Sequence, residues 1–299
     1  MLRTLTAITA SLALLCPSSA NADAVHDALE AYALYQNDVS TLLDVDVENA
    51  RTVDAARARL ARHNSDRVSR GWIAYGALTA AQSQRFASSI ETRIRRDGRD
   101  SVLRSLRDDV GYARQQRNSA QAVQLILTAA SADSARTAQA GSLYDRFART
   151  AGVVQLAGTG RAELPGVTRL SPDMLDRLRG AGRVSQASVA YGERGFWDGV
   201  AGRDGAAPRV RAGGEDRSYA PVTDHMLTLA AIVVADAERG ERRRVETLLN
   251  EPLTQQCMHM QQLQLRQCLS VSVDAAERAY CLGQHALTGP GSCFASMVR

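Results

Sequence analysis

The sequence contains no lysine, so all 36 basic residues among its 299 are arginine. Codon bias in a GC-rich genome accounts for this; the functional alternative is that guanidinium forks grip carboxylate or phosphate groups. Aromatic residues are scarce at 5% of the chain, and no proline occurs between residues 23 and 164. Strand-like alternation is nearly missing while alanine is abundant, so the composition favours helices. Long apolar runs are lacking too. The most apolar interior stretch, MLTLAAIVVADA at residues 226–237, falls short of the roughly 20 residues that span a bilayer and reads as a buried core helix.

Catalytic signatures are also missing. There is no HExxH, GxSxG, Walker loop or CxxCH, and the AGTGR at residues 157–161 reads as a helix end. A Ser/His/Asp site is recognised by geometry, so an enzyme is disfavoured without being excluded, and no cofactor is implied. The formal charge of +4 is mild, and the arginine clusters RIRRDGR (93–99) and RGERRR (239–244) are interrupted by acid or glycine. They read as solvated helix ends, because cations are favoured near helix C-termini. Nucleic-acid binding asks for a concentrated basic face, which argues against that partner. The candidate partners are a protein or an anionic polymer of the cell envelope.

What the N-terminus does contain is the pattern of a secretory signal peptide. Arg3 precedes an apolar run over residues 7–16, and Ala20-Asn21-Ala22 supplies a small-x-small cleavage site. Cys16 follows Leu15, where lipidation would ask for a small residue, so this cysteine is expected to leave with the signal. Removal of residues 1–22 would lower the charge from +4 to +3. The expected location is periplasmic or secreted.

Apolar residues then recur at helical spacing. Leu29, Tyr32 and Leu34 mark a first helix, and Ala55, Ala58 and Leu60 a second. Trp72, Tyr75, Leu78 and Ala81 form a stripe that Phe86, Ile90 and Ile94 continue. Gly98 should end a helix, with Asp100 or Ser101 capping the next. Val123, Ile126 and Leu127 fall in one further helix, and Leu143, Phe147 and Val154 in another. Residues 191–221 break the pattern with seven glycines and two prolines. That loop or linker carries Glu193, Trp197, Asp198 and Tyr219, which suggest an acid/base pair with a sugar-stacking platform as one reading and a plain linker as the other.

Four of the five cysteines lie between residues 255 and 293. In an exported chain an even number of cysteines implies disulfides. Residues 255–269 read as one helix, and Asp274-Ala-Ala-Glu277 as the capping box of a second, with a turn near residues 270–273. Cys257 and Cys268 would then lie about 16 Å apart on one helix, beyond the roughly 7 Å that a disulfide tolerates. Two connectivities survive: Cys257–Cys293 with Cys268–Cys281, or Cys257–Cys281 with Cys268–Cys293. The first is nested, as two antiparallel arms require, and is favoured; Gly289-Pro290-Gly291 would fold the tail back over the first arm.

A metal reading competes with the clasp. Cys257, His259, Met260, Cys281 and His285 offer soft sulfur and imidazole suited to copper or zinc, provided the thiols stay reduced. A methionine at helical spacing also serves as core filler.

These readings give an all-α chain, an irregular bundle of short antiparallel helices with a long Gly-rich loop and a C-terminal disulfide-linked helical hairpin. Its segments are a signal peptide (1–22), an N-terminal helical region (23–190), the loop (191–221) and a C-terminal helical region (222–299), forming one domain overall. The expected role is binding or scaffolding in the cell envelope.

Overall fold

The computed structural model describes residues 24–159 and 221–296, with side chains of the first segment up to Ala151. Residues 1–22 and nearly all of 191–221 lie outside them, including Glu193, Trp197, Asp198 and Tyr219. Every regular element among the described residues is helical. The N-terminal group is α1 (Ala24–Leu43), α2 (Ala50–Leu60), α3 (Ser65–Ala81), α4 (Gln84–Asp97), α5 (Arg99–Asp108) and the long α6 (Ser119–Thr159). The second is α7 (Pro221–Val234), α8 (Arg242–Leu249), α9 (Pro252–Val271), α10 (Ala275–Cys281), a π-helical segment (Leu282–Thr288) and α11 (Gly289–Ser296).

Local chemistry sets the boundaries. Asn49 caps α2 by accepting from the Thr52 backbone N–H while the Thr52 hydroxyl faces the Asn49 N–H, a reciprocal box. Asn64, Ser83 and Asp274 cap α3, α4 and α10 with side-chain oxygens that accept from first-turn backbone N–H groups. Helix α3 sits centrally, packed against α1, α6, α7 and α9. Residues 71–80 are all buried, as a helix apolar on every side must be. One continuous core runs from α1 to α11.

The scarce aromatics converge in that core. Trp72 stacks on Phe294 with ring centroids 5.3 Å apart, and Tyr32 meets Phe294 edge-on at 5.3 Å and Tyr75 at 5.2 Å. Phe294 comes from α11, so the last helix completes the core of the first ones. Beside it a ring of buried polar groups ties α1 to α6. Tyr32 donates to Asp133 (2.6 Å), Gln36 donates to Tyr32 (3.0 Å), and Arg136 donates to both Gln36 and Asp133 (3.0 Å each). Burial raises the Asp133 carboxyl above its ordinary pKa, opposed by the Arg136 charge and the Tyr32 hydrogen bond.

Several sequence expectations need correction. Leu34 is exposed, and α2 buries Val53, Ala56 and Leu60 while Ala55 and Ala58 face solvent. The stripe from Trp72 does not run on into Phe86, because Ser83 starts a new helix. Neither Asp100 nor Ser101 caps α5; Gly98 alone, at φ 84°, ends α4 and opens α5. The two helices expected around residues 123–127 and 143–154 are one, α6, of 41 residues. Gly141 is its crossing point. A Cβ there would stand 2.7 Å from the Gly283 carbonyl of the π-helical segment, and one on Gly283 would stand 2.8 Å from the Gly141 carbonyl.

Candidate functional site

The C-terminal hairpin is where the sequence concentrates unusual chemistry, and α9 is its first arm. Pro252 opens α9, where its missing N–H costs nothing. Buried Glu251 caps it, accepting from the backbone N–H groups of Leu253 (3.0 Å) and Thr254 (2.7 Å) and from the Thr254 hydroxyl (2.6 Å). The turn falls at residues 272–274, and Asp274 starts the return arm by accepting from the Glu277 N–H.

Two disulfides bind the arms, Cys257–Cys293 with Cα atoms 5.8 Å apart and Cys268–Cys281 at 5.6 Å. This is the nested pairing. The return arm differs from expectation beyond Cys281. Gly289-Pro290-Gly291 does not fold a tail back; the arm continues as helix through the π-helical segment into α11, already antiparallel to α9. Proline is tolerated there because its missing N–H leaves a carbonyl four residues earlier, that of Ala286, and the buried Tyr35 hydroxyl donates to it at 3.0 Å.

The pairing disperses the metal set. Cys257 and Cys281 belong to different disulfides, three helical turns apart along α9. His259 and Met260 are exposed on α9, and His285 lies part-buried in the π-helical segment. No group of three or more His, Cys, Asp and Glu residues among the described residues could hold a metal ion. Met258 is core filler as read, whereas Met260 is not.

The outer side of α9 is the feature sequence reading missed. Of its 20 residues only Thr254 and Met258 are fully buried. Leu253, Met260, Leu263 and Val271 remain 45%, 48%, 38% and 76% exposed. At 100° per residue these four, with exposed Gln256 and Gln267, fall within about 80° of the circumference, turned away from buried Thr254 and Met258, with Cys257 and Cys268 about 90° round from the middle of the sector. That sector has no charged residue, and Arg266 and His259 lie at its margin. The spacing 253, 256, 260, 263, 267, 271 was legible, but nothing in it says which side faces the protein.

Other polar groupings are tied off. Asp38 accepts from Arg59 (2.8 Å) and Arg62 (2.9 Å) and meets His63 Nε2 at 2.7 Å. Burial alone would raise this carboxyl, but hydrogen bonds from Arg59 and His63 and the charges of His63 and Arg62 hold it below the usual carboxylate range. The arginines of the 93–99 cluster are spent locally, and in the 239–244 cluster Arg244 donates to the Leu106 carbonyl (3.2 Å). Arg93 and Arg96 meet Asp97 at 2.7 and 2.8 Å, Arg107 meets Glu241 at 3.1 Å, and Arg99 donates to the Asp236 carbonyl. A cleft of about 590 Å³ includes Asp27, Asp66, Arg67, Arg70 and Glu246, with Arg70 and Glu246 paired at 2.6 Å. A second, of about 700 Å³, lies between the 45–48 loop and the Leu143–Ala151 part of α6. No described helix is long and apolar enough to cross a membrane.

Comparison with protein-family models, curated proteins and solved structures finds no match. The site must be read from its own chemistry.

Proposed function

We propose that this chain is exported to the cell envelope and acts there as a binding or scaffolding protein, with the disulfide-braced hairpin as its contact element. The observation that carries the reading is the pairing of all four cysteines among the described residues into two disulfides across one hairpin. Such crosslinks persist in oxidising compartments and are rare in the cytosol. The signal-like N-terminus supports the same location.

A protein partner is favoured over an anionic polymer. The arginines of the 93–99 cluster spend their charge on neighbouring carboxylates and a carbonyl, whereas α9 presents an uncharged, partly apolar face. Faces of that composition mark protein interaction sites.

The test is recovery of the native protein from a periplasmic or secreted fraction, with N-terminal sequencing and a thiol count on denatured, unreduced material. The reading requires an N-terminus at Asp23 and no free thiol. A cytosolic chain beginning at Met1 with free thiols would overturn it.

A further inference from the structure

We infer that the outer face of α9 pairs with the same face of a second copy, the two helices running antiparallel about a two-fold axis near residue 262. The inference rests on reading α9 as the contact surface, and names the partner.

The argument is the symmetry of the stripe. Read from either end, it runs apolar, glutamine, apolar, apolar, glutamine, apolar: Leu253, Gln256, Met260, Leu263, Gln267, Val271. Antiparallel helices related by a two-fold axis place residues at equal distances on either side of it against each other. With the axis near residue 262, Leu253 meets Val271, Met260 meets Leu263, and Gln256 meets Gln267. Apolar groups face apolar groups, and each amide faces an amide that can both donate and accept. A parallel pairing would set each residue against itself and gain nothing from this order.

Two further observations favour a second copy. Like-charge repulsion is the usual obstacle to self-association, and the stripe carries no charge in a protein with 36 arginines and 32 acidic residues. The disulfides also pin α9 to the return arm at Cys257 and Cys268, about 90° round the helix from the middle of the stripe, so α9 cannot roll to bury Leu253 and Leu263. A face about 27 Å long and 10 Å wide, roughly 540 Å² of flat area over both copies, lies below the roughly 1,200 Å² of stable interfaces and in the range of weak, transient contacts. The pair should therefore be weak and reversible, with a dissociation constant on the order of 100 micromolar.

The experiment is sedimentation velocity on the oxidised full chain across a concentration series, with Met260→Glu and Leu263→Arg made separately and then mixed in equal amounts. Wild type should pass from monomer to dimer as concentration rises. Each variant alone should weaken association by about 100-fold or more, because a charge is buried against an apolar neighbour. The mixture should recover a heterodimer to within about tenfold of wild type, since Glu at 260 of one copy meets Arg at 263 of the other. Circular dichroism of each variant checks that the exposed substitutions leave the fold intact.

A wild type that stays monomeric at every concentration overturns the inference, returning the face to another protein or to residues 160–220. Dimers insensitive to both variants overturn the placement, and variants that fail to rescue each other overturn the antiparallel register. An exported, oxidised monomer would sink the dimer and leave the proposed function standing. Free thiols in a cytosolic chain would sink that function first.

Discussion

Helix α3 and helix α9 are of similar length and are held in place by opposite means. Ten consecutive residues of α3, 71–80, are buried, and its Trp72 stacks on a ring from the far end of the chain. In α9 two residues are fully buried, and the cysteines Cys257 and Cys268 fasten it to the return arm. Apolar burial anchors the first helix, and crosslinks anchor the second. The contrast shows how a helix can keep a face free for contact: once covalent links and a few buried side chains supply the attachment, Leu253 and Leu263 are not needed to make it.

The largest effect should come from the buried body. Trp72→Ala removes a fully buried ring and its partner's stacking surface, and should cost about 3–5 kcal/mol in urea unfolding. An effect no larger than that of a surface substitution would break the contrast.

Crosslinks come next. Replacing either cysteine pair by serine should cost about 2–4 kcal/mol. Cys257–Cys293 spans 36 residues and Cys268–Cys281 spans 13, so loss of the wider pair should cost about 1 kcal/mol more on loop entropy. The reverse order in chemical denaturation would mean that restriction of the unfolded chain is not what these bonds supply.

A smaller effect tests the seam between the two regions. Tyr35→Phe leaves the Ala286 carbonyl without its donor beside Pro290 and should cost about 1 kcal/mol. The change should register as faster amide exchange in the return arm before α3 responds.

The smallest is a pH effect in the π-helical segment. Burial pulls His285 below its ordinary 6.5, so the unfolded chain takes up its proton before the folded one does. Its contribution to stability is complete above 6.5 and declines as pH falls through the lower folded value. His285→Gln should flatten that part of the melting-temperature profile; an unchanged slope would assign it to other groups.

Much of the hairpin was legible in advance. Helical spacing puts Cys257 and Cys268 three turns apart, and that distance rules out their pairing before any fold is known. Asp274 announces the second arm because a side-chain acceptor before Ala-Ala-Glu does so in any context. Val53 and Ala56 were misread in favour of Ala55 and Ala58, since alanine in an arginine-rich helix fits either face. The ring of Tyr32, Gln36, Asp133 and Arg136 left no trace, because its members sit 101 residues apart at the widest bond.

By itself the sequence determined that the described segments are helical, where α10 starts, and which cysteines could reach one another. Those outcomes follow from propensity, capping and the fixed rise of a helix, all of which act over a few turns. Tertiary structure alone decided that α6 runs unbroken through Gly141, that Phe294 completes a core begun by Tyr32, and that α9 turns Leu253 and Leu263 outward. Each of these depends on which surfaces are already covered by distant segments, and local spacing carries no record of that.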